Sequence, residues 1–215
     1  MEIQKTIPIT VIRRLPKYHR YLRKFIINDV VTISSRKLGD KIGFTASQIR
    51  RDLSYFGEFG TPRIGYNVKE LFIEISGILG LFKEHNMIII GAKNIGKAIA
   101  KYTRSQQLNF KLVGIFDTDP NLIGSTIQDI EVIEIDKLVS FLKVTPTDIG
   151  IICISKKYAQ TVTDMMVENG VKYICNITPV DINVPQEIIL ENINLNDSLL
   201  TLSCLMNDSK LVGKR

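Results

Sequence analysis

The sequence predicts an α/β protein: an N-terminal winged-helix domain, a Rossmann-type parallel-sheet domain, and a closing C-terminal helix. Three observations carry this expectation. Near-continuous apolar runs alternate with helical segments from residue 87 to 175, the pattern of parallel strands covered on both faces. A glycine turn follows the first of those runs, in 87-MIIIGAKNIGKAIA-100. Charge is also unequal: residues 1–83 hold 15 Lys+Arg against 7 Asp+Glu, and residues 84–215 hold 13 against 15. A basic front half on a near-neutral back half points to a polyanionic partner for the front.

The elements of the front half follow in order. Residues 8–26 have helical periodicity, with Ile12, Leu15, Leu22 and Phe25/Ile26 on one face and a set of cations largely elsewhere. Pro16 inside that pattern predicts a kink or a break into two helices. A second helix spans 34–43, capped by Ser34 or Ser35 and stopped by Gly43. A third spans 44–57. Thr45 is its N-cap, Gln48 completes a capping box, and Phe44 with Ile49 forms a hydrophobic staple. Ile49, Leu53 and Phe56 make its buried stripe, leaving Ser47, Gln48, Arg50, Arg51, Ser54 and Tyr55 on other faces. A short helix, a tight glycine turn and a polar helix with Gln and Arg near its start form the layout of helix-turn-helix DNA readers. Arg and Gln suit base edges, Ser and Tyr suit phosphates. The glycine-punctuated stretch 57-GEFGTPRIGY-66 reads as a β-hairpin wing whose Arg63 reaches a minor groove. A basic helical module that binds protein is the competing reading.

In the back half the strands are 87–91, 111–117, 130–132, 148–155 and 172–176, with helices near 95–104, 136–142 and 157–168. Gly91 and Gly96 hold the first and third places of a G-x-G-x-x-G loop, but Lys93 stands in the middle place. Gly91, Ala92, Lys93, Asn94, Ile95 and Gly96 are therefore the candidate dinucleotide contacts. Lys93 either turns to solvent or a phosphate, or fills the space a pyrophosphate needs. Asp117 ends the second strand, 21 residues after Gly96, where an acid accepts from an adenosine ribose and favours NAD over NADP. Residues 186–206 read as a strand and then a helix starting near Asn196 or Asp197. Its Leu199, Leu202, Leu205 and Met206 stripe needs a core or a second subunit to cover it. The boundaries expected are 1–83, 84–193 and 194–215.

Composition bounds the rest. With 215 residues, 45% hydrophobic and 23% charged, the chain suits one or two domains with real cores. No run reaches the ~18 apolar residues of a membrane span, and the N-terminus lacks a signal-peptide core. A cytoplasmic address and no membrane partner are expected. Cys153, Cys175 and Cys204 lie in apolar segments without C-x-x-C spacing, so buried thiols are expected rather than a disulfide framework. His19 has no second His, Cys or acidic cluster to make a metal site, His85 precedes the first strand outside any plausible substrate cleft, and residues 178–215 leave no room for a substrate domain. An NAD-dependent oxidoreductase with a fused basic domain is the alternative this disfavours.

The two halves together resemble the Rex family of redox-sensing transcriptional repressors. The resemblance rests on IP…RLPKYHRYL at 7–22, TASQIRRDLSYFGEFG at 45–60, GY at 65–66, the GAKNIG loop, Tyr102, FDTDP at 116–120 and the closing helix. It implies a homodimer with a swapped C-terminal helix that binds a palindromic double-stranded DNA operator and releases it when NADH replaces NAD. It places Arg50 and Arg51 where bases are read and Arg14 near the DNA and the domain interface. It also marks departures. Thr61 and Pro62 replace a basic pair, and Arg63 a glycine. Around the NAD(H) pocket Lys93 replaces a glycine, Arg104 and Ser105 a glycine and a phenylalanine, Ser155 a proline, and Asn194 an aspartate of the redox switch. Four departures around one pocket raise a second reading, a Rex-like regulator with lost or changed NAD(H) sensing.

Overall fold

Pro16 sets the first corner. Its ring nitrogen cannot donate inside a helix, so the pattern of residues 8–26 resolves into α1 (Ile9–Ile12) and α2 (Leu15–Ile27), with Pro16 in the first turn of the second. The break re-phases the apolar face. Val11, Leu15, Tyr18 and Leu22 are buried, whereas Ile12, expected inside, is exposed. The structure is a computed structural model describing residues 7–106 and 109–207. The chain divides into two units, Met1–Lys83 and Glu84–Arg215.

The first unit continues with β1 (Thr32–Ile33), α3 (Ser35–Ile42), α4 (Ala46–Leu53), β2 (Tyr66–Asn67) and α5 (Val68–Ile78). Ser34 caps α3 by accepting the Lys37 N–H, and Gly43 ends it at φ +76. That left-handed turn costs a glycine nothing. β1 and β2 pair antiparallel, Thr32 with Asn67 and Ile33 with Tyr66. Helix α5 goes beyond the sequence reading, although its signals are present. Asn67 accepts from the N–H groups of Lys69 and Glu70, and Val68, Leu71 and Ile75 recur on one buried face. These join Leu15, Tyr18, Leu22, Leu38, Ile42, Ile49 and Leu53 in one core.

The second unit is a doubly wound sheet. Its elements are β3 (His85–Ile90), α6 (Asn94–Gln106), β4 (Phe110–Asp117), β5 (Thr126–Ile127), β6 (Ile130–Glu134), a 3-10 turn, α7 (Leu138–Val144), β7 (Ile149–Ile152), α8 (Lys156–Glu168), β8 (Tyr173–Asn176), β9 (Ile189–Asn192) and α9 (Leu195–Asn207). The strand order is β5-β6-β4-β3-β7-β8-β9, parallel throughout except for the β5–β6 pair at the edge. Leaving out β5, this is the Rossmann order 3-2-1-4-5-6. Ile88 and Ile90 pack on one face of the sheet with Phe116, Leu138 and Ile152. Met87 and Ile89 pack on the other with Ala100, Ile115 and Ile151. Both faces are covered, which is why β3 reads as an unbroken apolar run.

Helix α9 begins one or two residues earlier than the sequence suggests, and none of its residues is fully buried within its own chain. Leu199, Leu200, Leu202 and Met206 are all exposed. Cys204 lies on this helix and is exposed too, against the expectation of a buried thiol, whereas Cys153 and Cys175 are partly buried against the core. Among the described residues no helix is long and apolar enough to cross a membrane.

The turn from β3 into α6 depends on close backbone approach. A Cβ on Gly96 would collide with the Gly91 carbonyl oxygen, backbone against backbone with no side chain to yield. Gly96→Ala is expected to lower stability by about 1–3 kcal/mol. The readout is a lower denaturant midpoint at unchanged slope, and an unchanged midpoint would show that the loop moves aside freely.

Candidate functional site

In the first unit the polar face of α4 is set from inside the fold. Thr45 accepts the Gln48 N–H at 3.1 Å, so the helix starts where the sequence places it. The Gln48 side chain was expected to turn back to the Thr45 N–H. It instead donates to Asp52 Oδ1 at 3.3 Å. The helix also ends at Leu53, four residues short of the expected 57.

Asp52 is fully buried between Ile49 and Leu53. Arg14 grips it with two bonds, Nε to Oδ2 at 2.6 Å and Nη2 to Oδ1 at 2.7 Å, and Tyr18 Oη donates to Oδ2 at 2.6 Å. Burial alone pushes the Asp52 carboxyl up, but the donors Arg14, Tyr18 and Gln48 outweigh it and hold it below the usual carboxylate range. Burial and the Asp52 carboxylate drive the Tyr18 phenol upward. Arg14, expected near DNA, is therefore engaged in tying α2 to α4. Asp52 and Tyr18, which the sequence reading missed, complete this tie. The available signal was an acid in register with the buried stripe.

Ser47, Arg50 and Arg51 are exposed on α4, and Tyr55 is partly exposed beyond its end. Arg50 Nη1 donates to Ser35 Oγ at 3.0 Å, which links α4 to the start of α3. A groove of about 360 Å³ runs between these helices and the wing, with Ser34, Ser35, Arg50 and Arg63 on its walls. The wing is a tight loop closed by the Thr61–Gly65 backbone pair. Arg63 sits at its tip, exposed, at φ +68. That left-handed conformation costs a non-glycine residue roughly 1–2 kcal/mol.

In the second unit the Gly91–Gly96 loop lies at the carboxyl end of β3, beside β4 and β7. This is the point where strand order reverses and open α/β sheets bind ligands. Gly91 has φ +112, and a Cβ there would meet the Cys153 backbone at 2.6 Å. Cys153 donates from Sγ to the Gly91 carbonyl at 3.2 Å, and burial pushes its thiol up to about 12. Gly91, Ala92 and Gly96 are buried; Lys93, Asn94 and Ile95 are exposed.

Asp117, expected at a ribose, has a structural use inside the fold. It is buried, and it accepts the Ala92 N–H at 2.5 Å and the Thr118 and Asp119 N–H groups at 2.7 and 2.9 Å. The carboxylate pins the glycine loop from beneath. Lys93 also does something the sequence reading did not consider. Its Nζ lies 3.1 Å from Asp119 Oδ2, and this bond leads the causes that hold the Asp119 carboxyl below its usual range. Tyr102 is exposed on α6, and the Asn194 side chain accepts the Asn196 N–H at the start of α9. The side chains of Arg104 and Ser105 lie outside the described residues. Among the described residues no cluster of three or more His, Cys, Asp or Glu could hold a metal.

Two family models match the two units separately. Residues 6–54 match "Putative DNA-binding protein N-terminus" and residues 82–180 match "CoA binding domain". The whole chain is similar to the redox-sensing transcriptional repressor Rex of Clostridium botulinum strain Hall, 53% identical over 98% of this chain and 100% of that protein. It is 54% identical to Rex of Clostridium acetobutylicum over 97% of each. The chain belongs to the Rex family.

Solved structures agree. The chain matches the crystal structure of RSP in complex with β-NAD+ and operator DNA with a TM-score of 0.90 and 49% identity, covering 96% of this chain and 95% of that one. It matches RSP in complex with β-NADH with a TM-score of 0.86, covering 96% and 98%. Two departures from the Rex pattern acquire a physical reading. Arg63 has φ +68, a left-handed backbone that a glycine adopts without strain. Ser155 has φ −55, within the range of the proline it replaces.

The buried Asp52 pair makes the fold acid-sensitive. A carboxyl held low in the folded state contributes stability above its usual pKa near 3.8, and that contribution is lost as pH falls through the lower folded value. Asp52→Ala, which leaves Arg14 without its partner, is expected to cost about 3 kcal/mol at neutral pH. Its loss of stability between pH 4 and the acid limit should be flatter than the parent's, as read by denaturant unfolding across pH. Parallel curves for the two proteins would remove Asp52 from this role.

Proposed function

We propose that this chain is a cytoplasmic, homodimeric repressor. Its first unit grips a palindromic operator, and it releases the DNA when NADH replaces NAD+ at the Gly91–Gly96 loop. The observation that carries this reading is the near-complete fold match to RSP held with both β-NAD+ and operator DNA. Relatives over the full length are named as repressors, which speaks against the oxidoreductase alternative. In this reading Ser47, Gln48, Arg50 and Arg51 face the major groove, Tyr55 meets phosphate, and Arg63 enters a minor groove. Arg14 acts through Asp52 by holding α4 at its angle.

The nucleotide lies over the N-terminus of α6, where unpaired amides and the helix dipole favour a pyrophosphate. Because Gly91 and Gly96 answer packing demands inside the loop and position 93 is exposed, a lysine there leaves the turn intact. Its cation is drawn to Asp119, and the stem need not obstruct the ligand. Homodimerisation through α9 is supported by its exposed Leu199, Leu200, Leu202 and Met206, a stripe that folding of one chain leaves uncovered.

The function is tested by titrating the full chain with a selected palindromic duplex, with and without NADH or NAD+. Operator affinity should fall steeply with salt, and NADH should release the DNA where NAD+ does not. Arg50→Ala should cost about 1–3 kcal/mol of operator binding. Retention of the duplex at saturating NADH would overturn the redox reading; an Arg50→Ala protein that binds like the parent would overturn the placement of α4.

Cutting the chain after residue 194 removes the apolar stripe. Monomers or aggregate should result, with sharply weaker operator binding because each monomer reads one half-site alone. A soluble truncated dimer with parental affinity, by light scattering and DNA titration, would rule out α9 as the main contact.

A further inference from the structure

We infer that Asp52 is a positioning residue for DNA reading: it turns the Gln48 amide so that Gln48 meets the major groove with its carbonyl oxygen, and so selects a base by its exocyclic amino group. The inference rests on α4 being the helix that reads DNA.

The argument starts from the orientation of an amide. An isolated glutamine side chain can present either its oxygen or its NH2 group in a given direction. Gln48 has no such choice. An ionised carboxylate only accepts hydrogen bonds, and Asp52 is held ionised by Arg14 and by the Tyr18 hydroxyl, three bonds of 2.6 to 2.7 Å. The group Gln48 turns towards Asp52 Oδ1, at 3.3 Å, must therefore be its NH2. The oxygen occupies the other arm of the same planar group and is directed away from the carboxylate.

The place of Gln48 gives that orientation a use. It is the third residue of α4, in the first turn, where helix-turn-helix proteins bring side chains to base edges. Its backbone N–H is already taken by Thr45, so the side chain carries whatever Gln48 offers to DNA. An acceptor oxygen in the major groove pairs with the amino group on N6 of adenine or on N4 of cytosine. Guanine and thymine offer only acceptors there and would face the Gln48 oxygen without a hydrogen between them. A buried acid on the inner side of α4 thus sets which base atom the outer side can recognise. It does so without touching DNA.

The test is a cycle between protein and DNA with the full chain. A palindromic duplex is selected from a random library. Each adenine in turn is replaced by purine and each cytosine by 2-pyrimidinone, which deletes the amino group alone. The parent should lose roughly five- to tenfold in affinity at one position per half-site, the worth of one hydrogen bond. Gln48→Ala should lose the same on the natural duplex and nothing further on the substituted one. Asp52→Asn, whose amide can turn either way, should lose this coupling while keeping the parent's salt dependence. A coupling that survives Asp52→Asn, or the absence of any position where Gln48→Ala and amino deletion overlap, overturns the inference. The second arm decides even when Asp52→Asn does not fold. A parent that selects no duplex at all overturns the DNA-binding reading instead, so the two failures are distinct.

Discussion

A carboxylate taken out of water has to find donors, and that constraint shapes both units. Asp52 and Asp117 are the two buried acids of the described chain. Each is saturated by groups that would otherwise be free to wander. Asp52 collects two nitrogens of Arg14, the Tyr18 hydroxyl and the Gln48 amide. Asp117 collects the N–H groups of Ala92, Thr118 and Asp119. Removing either acid would leave several donors unpaired, which costs more than the bonds themselves contribute. In both units the buried charge lies just inside the surface proposed to meet a ligand.

The two acids use opposite chemistry for this. Asp52 gathers side chains from two helices, so it fixes an angle between elements as well as a rotamer. Asp117 gathers backbone, so it fixes a loop path. The path matters because Gly91 and Gly96 bring the end of β3 and the start of α6 into contact that no Cβ would permit. A loop pinned from below by a carboxylate presents its amides outward, already ordered before any anion arrives. Pre-ordering of this kind spares a ligand the entropy of organising its own site.

Much of this architecture is legible in the sequence. Unbroken apolar runs and period-3.6 patterns place the main strands and helices of the second unit within a few residues, since the strands bury both faces and the helices one. The start of α4 is legible because a cap is a local event of four residues. Three things are not. Helix α5 has the ordinary signals and passes unread beside the glycine-rich wing. The role of Asp52 depends on Arg14, 38 positions away, and no local pattern announces such a pair. The role of Asp117 is hidden for another reason. Its position after β4 suggests ribose recognition, and the loop pinning shows only in the path of residues 91–92. Cys204 shows the limit of apolar context as a guide to burial. Its neighbours are greasy, yet its own chain leaves α9 uncovered.

The glycine loop also shows how one sequence departure is absorbed. In G-x-G-x-x-G the first and third glycines serve the turn and the packing of helix on strand, whereas the second serves only the approach of a phosphate. The geometry separates these demands: Gly91 and Gly96 cannot be replaced without moving backbone, and position 93 stands open. Lysine at that position changes the charge of the site and leaves its shape alone. Asp119 answers the charge, a partly exposed partner at 3.1 Å whose hold on the exposed Lys93 is weak because solvent and salt screen it. A weakly held cation beside a helix N-terminus is available to any stronger anion, and a pyrophosphate is one. On the proposed reading, the lysine therefore stands as a movable charge at the edge of the nucleotide site, and the loop beneath it keeps the rigidity that Asp117 imposes. Whether NADH releases the operator then turns on how the two redox forms differ in their contacts, because a ligand shifts an equilibrium only by its difference in affinity for the two states.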